Sequence, residues 1–161
     1  MADARRPGGP GAGARGTMNR RACAVMPLLL TLFATASGAA ERIVLVERAS
    51  NEQVVAVTRA EDAIGHLLVF SNALYDAANR AAAGMSRGYC VRVEVGRWWQ
   101  CQWTLELAAG ALQVAGAYPD SGDADFAIVG GTGRYAGARG VLRVHARDAA
   151  HSAYDFAIEL K

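Results

Sequence analysis

The chain has 161 residues, of which 52% are apolar and 20% charged, enough for one domain and a short leader. Five of the 17 Lys and Arg but only one of the 15 acids fall in the first 40 positions, so the formal charge of +2 conceals a remainder with 12 basic and 14 acidic groups. A near-neutral domain without a basic stripe excludes nucleic acid as a partner on electrostatic grounds.

Residues 1–17 are Gly, Pro, Ala and Arg with little to bury; they are either disordered or the product of a start placed upstream of Met18. Residues 18–40 have the three parts of a secretory signal peptide: Asn19-Arg20-Arg21, an apolar run from Ala22 to Phe33, and small residues from Ala34 to Ala40. The run is roughly a dozen residues, short of the about 20 that a membrane span needs, so no stable span is expected after cleavage. The expected location is secreted or periplasmic, with the mature chain starting near Glu41 and the export route open.

Beyond residue 41, β-branched and aromatic runs alternate with turn residues, which predicts an all-β domain over 41–161. Strands are expected at 42–48, 66–75, 88–95, 98–107, 111–118, 124–129, 139–147 and 152–160. Between the second and third, Asp76 to Gly84 reads as a short connecting helix with an N-cap-like Asp and a terminating Gly. Cys90 and Cys101 are equidistant from a two-residue turn at Val95-Gly96, so an oxidising compartment would let them form a disulfide. On the next strand Trp99, Cys101, Trp103, Leu105 and Leu107 share one face. Trp98 on the other face leaves two readings open: a cavity inside with a subunit contact outside, or one packed core with a scattered outer tryptophan. On the last strand Tyr154, Phe156, Ile158 and Leu160 form the core face. Eight strands closed into an antiparallel β-barrel remove sheet edges and leave an interior for side chains or one small ligand.

The Gly130-Gly131-Thr132-Gly133 segment superficially suggests dinucleotide binding, but only two strand-like stretches follow Gly137, with no room for a Rossmann unit. These glycines are read as a tight strand connection. His66, His145 and His151 lack metal-ligand spacing, so no metal is expected. His145 with Arg143 and Arg147 forms a row read as a solvated face.

Four segments then appear in order: Phe70-Ser71-Asn72-Ala73-Leu74-Tyr75-Asp76, Gly88-Tyr89-Cys90-Val91, Gly116-Ala117-Tyr118, and Phe126-Ala127-Ile128-Val129-Gly130-Gly131-Thr132-Gly133. Together they resemble plant allene oxide cyclase, and the last, with Ala138-Arg139-Gly140, also resembles dirigent proteins. The resemblance implies an eight-stranded barrel, a possible homotrimer, a hydrophobic cavity and no cofactor. It implies Glu47, Asn72 and Tyr118 as catalytic candidates, and Phe70, Asn72, Cys90 and Tyr118 as ligand-binding ones. Ala49 and Val55-Ala56 stand where the cyclase holds a water with Asn and Ser-Pro, so that water site is absent here.

The resulting expectation is a barrel for an apolar, oxygen-bearing small molecule, acting as a cofactor-free cyclase or isomerase or as a stereocontrolling protein. The alternative is a non-catalytic secreted barrel that binds a lipid or an aromatic metabolite. An assembly module with a filled interior ranks behind both.

Overall fold

The computed structural model describes residues 41–161; the expected leader at 18–40 and the segment 1–17 lie outside them. Nine antiparallel strands follow in chain order: β1 (Glu41–Arg48), β2 (Glu52–Val55), β3 (Leu67–Asp76), β4 (Ala82–Glu94), β5 (Trp98–Leu107), β6 (Gly110–Pro119), β7 (Ala124–Gly131), β8 (Gly140–Ala146) and β9 (Ala153–Leu160). Neighbours run β1-β9-β8-β7-β6-β5-β4-β3-β2, and β1 also pairs with β3. Eight strands therefore close a ring, as expected.

The ninth strand is an addition, and it shapes one end of the barrel. Along β3, the half from Ala73 to Asp76 pairs with β1, while the half from Leu67 to Phe70 pairs with β2. The edge is thus shared between two strands, interrupted at residues 49–51. Four residues with one acidic and one amide side chain carry little strand signal, which is why β2 escapes a reading by periodicity.

Alternation along the strands puts Leu45, Leu74, Leu105, Leu112, Val114, Phe126, Leu142 and Ile158 inside, all buried. Both face assignments made from sequence hold: Cys101, Trp103 and Leu105 on β5, and Phe156, Ile158 and Leu160 on β9, are buried. Close strand approach requires glycine at Gly88, directly across from Trp103, because a Cβ there would fall within Trp103 itself.

Two expectations change. No helix forms over Asp76–Gly84; Asp76 instead closes a turn, its Oδ1 accepting from the N–H of Arg80 (2.7 Å) and Ala81 (3.2 Å). Asn79 adopts a left-handed φ of 56°, and β4 begins at Ala82. The same carboxyl that would cap a helix here satisfies a hairpin turn, and Arg48 locks it by donating to Asn79 Oδ1 and O, both at 2.9 Å. Secondly, the β4–β5 turn has three residues, Val95 to Arg97, rather than two. A bulge between Arg92 and Glu94 absorbs the difference, so Cys90 still faces Cys101.

The disulfide forms, with the two Cα atoms 4.0 Å apart. The Gly-rich segment is a strand connection, as read: Thr132 N–H donates to Ala111 O (2.8 Å) and Arg134 N–H to Ala109 O (2.9 Å), pinning it to the β5–β6 turn. Replacing both Cys90 and Cys101 by Ala is expected to lower stability by about 2–3 kcal/mol, the entropy of a short loop closure. Denaturant unfolding of the oxidised protein and the double variant checks this.

Candidate functional site

The site occupies the barrel end where β1 breaks off and β2 begins. Glu47 on β1 faces Leu74 of β3, and Glu52 on β2 faces Phe70, so Asn72 lies midway between them, opposite the break. Asn72 is fully buried and its side chain is fully used. Nδ2 donates to Glu47 Oε1 (3.1 Å) and to Glu52 Oε1 (2.8 Å), while Oδ1 accepts from the backbone N–H of Asn51 (3.0 Å). One amide thereby bridges two carboxyls and fixes the chain where the strand is interrupted.

Glu47 is 5% exposed. Burial is the main cause that pushes its pKa up to about 7; Ser86 and Asn72 oppose the shift and the charge of Glu52 adds to it. Ser86, fully buried, lies beside this carboxyl and favours its charged form. Asn72 and Ser86 thus favour the ionised form of Glu47, while burial and the charge of Glu52 resist ionisation.

From this polar end a pocket of about 60 Å³ runs inward and opens outward. Glu47, Glu52, Phe70, Cys90, Trp103 and Tyr118 are among its lining residues. That volume holds a few waters or one slim group, so a larger ligand fills the mouth as well or shifts side chains. Half of the lining residues are aromatic. Phe70 meets Trp103 edge-on (6.3 Å between centroids), Trp103 meets Phe126 (4.5 Å), Phe126 stacks with Tyr118 (6.2 Å), and Tyr118 meets Tyr154 (6.4 Å).

A second polar group borders the same pocket. The Tyr154 hydroxyl lies 3.2 Å from His151 Nδ1, and that of Tyr118 lies 3.5 Å from the same nitrogen. Burial, foremost, raises the pKa of both phenols, so both remain protonated donors near neutrality. Tyr154 is the register partner of Glu47 across β1 and β9, which brings the phenols and the carboxyls to one rim.

The structure therefore gathers Glu47, Phe70, Asn72, Cys90 and Tyr118 at one end of the barrel, with Cys90 present as a disulfide sulfur in the wall rather than a thiol. Sequence reading missed Glu52, Tyr154 and His151 as site residues. Glu52 lies on the unpredicted β2, Tyr154 is read simply as core, and an isolated histidine carries no signal. Ala49, Val55 and Ala56 do not line the pocket. Among the described residues, no cluster of three or more His, Cys, Asp or Glu is placed to hold a metal, and no helix is long and apolar enough to cross a membrane.

A closed antiparallel barrel with a lined pocket at one end is the class of protein that fold and site define. The sequence matches the dirigent-like protein family over residues 31–161, and the chain belongs to that family. Solved structures share the barrel. Pyocyanin demethylase superposes with a TM-score of 0.63 at 22% identity, over 73% of this chain and 99% of that one. The pterocarpan synthase dirigent protein PsPTS1 gives 0.67 at 14%, over 76% and 95%. AbnU, an exo-specific intermolecular Diels-Alderase, gives 0.60 at 17%, over 76% and 98%. A search of curated protein sequences finds no match. At these identities the likeness concerns the fold, and the chemistry has to be argued from the site.

The shift at Glu47 has a stability consequence. Its pKa is higher folded (about 7) than its ordinary value of 4.5, so the folded state holds the extra proton between those values. The contribution of Glu47 to stability is full below about pH 4.5 and is expected to fall by roughly 3 kcal/mol as pH rises to 7 and beyond. Glu47→Gln is expected to remove that decline and to be the more stable protein at pH 8, as measured by urea unfolding across the pH range.

Proposed function

We propose that this barrel binds an apolar, oxygen-bearing small molecule and acts on it without a cofactor, as an intramolecular cyclase or isomerase or by imposing stereochemistry on a ring closure. The observation that carries the reading is Glu47, a buried carboxyl poised near neutrality in an aromatic-walled pocket. Perturbed titration inside a concave apolar site is the usual mark of acid–base chemistry.

The surroundings divide the labour. Glu47 and Glu52 make one end of the pocket electron-rich, suited to a ligand O–H or to positive charge that develops during reaction. The Tyr118 hydroxyl supplies a donor for a ligand oxygen. The aromatic wall favours a planar or conjugated skeleton, held in one folded shape while the charge moves. Asn72 and Ser86 favour the charged form of Glu47, so its ionised form is the active one, as base or as electrostatic support.

The fold relatives named as a demethylase, a dirigent synthase and a Diels-Alderase support a barrel whose wall decides the reaction. The non-catalytic alternative draws on one observation: the residues standing where the allene oxide cyclase water site would be do not line this pocket. Epoxide cyclisation of that kind is therefore not part of the proposal. Export rests on the composition of residues 18–40 together with the Cys90–Cys101 disulfide. A homotrimer rests on apolar groups left on the outer wall, Val44 and Val129 being exposed.

Native mass spectrometry of the exported protein, before and after mild denaturation, gives the subunit number and weighs any released compound. Turnover of that compound is expected to rise with pH through about 7. Glu47→Gln is expected to slow it by about 100-fold or more while binding changes little. Absence of turnover in the wild-type protein would favour the non-catalytic binding protein, and turnover unchanged in Glu47→Gln would remove Glu47 from the chemistry.

A further inference from the structure

Closure of the barrel needs eight strands, and what the ninth brings to the pocket is one side chain, Glu52. It joins Glu47 there, and among the described residues that line the pocket none is Lys, Arg or His. The arginines close by are committed elsewhere. Arg48, next to Glu47 in the chain, donates to Asn79 Oδ1 (2.9 Å) and lies 3.7 Å from the centre of the Tyr75 ring. Arg92, two residues beyond Cys90 on β4, pairs with Asp62 (2.8 Å) and Asp120 (2.6 Å) and covers the Trp99 ring. Asn72 engages Oε1 of each acid, and Glu47 Oε2 is buried without a hydrogen-bond partner among the described residues. Two acids are thus held together by a neutral amide, with no cation between them.

The same pocket is walled by aromatic rings, Trp103 and Tyr118 among them. Ring faces attract positive charge, and so do the acids, so both features of the wall favour a cation. An anion is repelled by the acids, and a neutral molecule gains little from them. The two carboxyls differ in depth: Glu47 is 5% exposed, whereas Glu52 is exposed at the mouth. The narrow inner space, about 60 Å³, takes the edge of a ring system and leaves any charged group at the mouth. We propose that Glu52 is a specificity-determining residue that reads positive charge, so that the ligand is an otherwise apolar ring skeleton carrying a basic or quaternary nitrogen. The inference rests on the ligand-pocket reading and narrows it. It assigns the two acids separate tasks, proton exchange to Glu47 and choice of ligand to Glu52, and it excludes carboxylates and phosphates as ligands.

The test compares three bicyclic probes of similar shape at pH 8: N-methylquinolinium, a cation; lepidine, which is uncharged there; and naphthoate, an anion. Calorimetric titration of the wild-type protein is expected to give binding of the cation roughly tenfold tighter than lepidine, with naphthoate weakest. Glu52→Gln keeps an oxygen for the Asn72 hydrogen bond and removes the charge. It is expected to lower the cation-to-lepidine ratio about fivefold, the worth of one exposed charge, and to leave lepidine binding and the Tm unchanged. High salt is expected to narrow the ratio in the wild-type protein and not in Glu52→Gln, because the charge it screens is exposed. Glu47→Gln is expected to keep most of the preference. Lepidine or naphthoate binding as tightly as the cation would overturn the ligand class while leaving the pocket intact. A ratio unchanged in Glu52→Gln would overturn the role of Glu52. Failure of all three probes to bind the wild-type protein would overturn the pocket reading, and this inference with it.

Discussion

A carboxyl in the interior of an apolar barrel is held in place by a single amide. Asn72 donates to Glu47 and to Glu52 at once and receives the N–H of Asn51, so the interruption of the barrel wall, the two acids and the pocket mouth all converge on one fully buried side chain. Without that donor pair, Glu47 and Glu52 would approach each other with little to compensate their repulsion, and the end of β1 would lose its link to β3. The break at residues 49–51 is thus a constructed feature. It sets the second acid on the far side of Asn72, so that both acids line the pocket.

The remainder of the site follows from strand alternation. Closure of eight strands turns every second side chain inward, and at this end the inward residues are aromatic, giving a continuous run from Phe70 through Trp103 and Phe126 to Tyr118 and Tyr154. The wall lowers the local dielectric, which pushes the Glu47 pKa up and keeps both phenols protonated. Function and stability pull in opposite directions at Glu47: the burial that makes its proton available near neutrality also weakens the fold above that pH. The Cys90–Cys101 bridge lies in the same wall, where it braces the β4–β5 pair beneath the mouth.

Much of the fold is legible in the residues, because period-two alternation survives in every long strand. The faces of β5 and β9, the pairing of Cys90 with Cys101 and the Gly-rich segment as a strand connection all follow from local pattern. The failures share a cause. The helix expected over Asp76–Gly84 rests on alanines and a capping aspartate, but tertiary pairing of β4 with β3 and β5 overrides such propensity, and Asp76 serves a turn instead. Strand β2 has four residues and no flanking pattern, and with it Glu52 is lost from view. His151 reaches the site through a loop conformation that no periodicity encodes. Family resemblance named Glu47, Asn72 and Tyr118 as candidates, which the structure brings to one end of the barrel, whereas their partners become visible only through three-dimensional contact.

Acid–base chemistry in this pocket requires that Glu47 exchange its proton near neutrality inside the barrel. The direct measurement is the carboxyl ¹³C chemical shift of Glu47, assigned by its disappearance in Glu47→Gln and followed by NMR from pH 4 to 9. A midpoint near 7 is the result expected from its burial beside Asn72, Ser86 and Glu52. A midpoint at the ordinary carboxylate value of about 4.5 would mean that the carboxyl is solvated, and the acid–base reading of the pocket would fall.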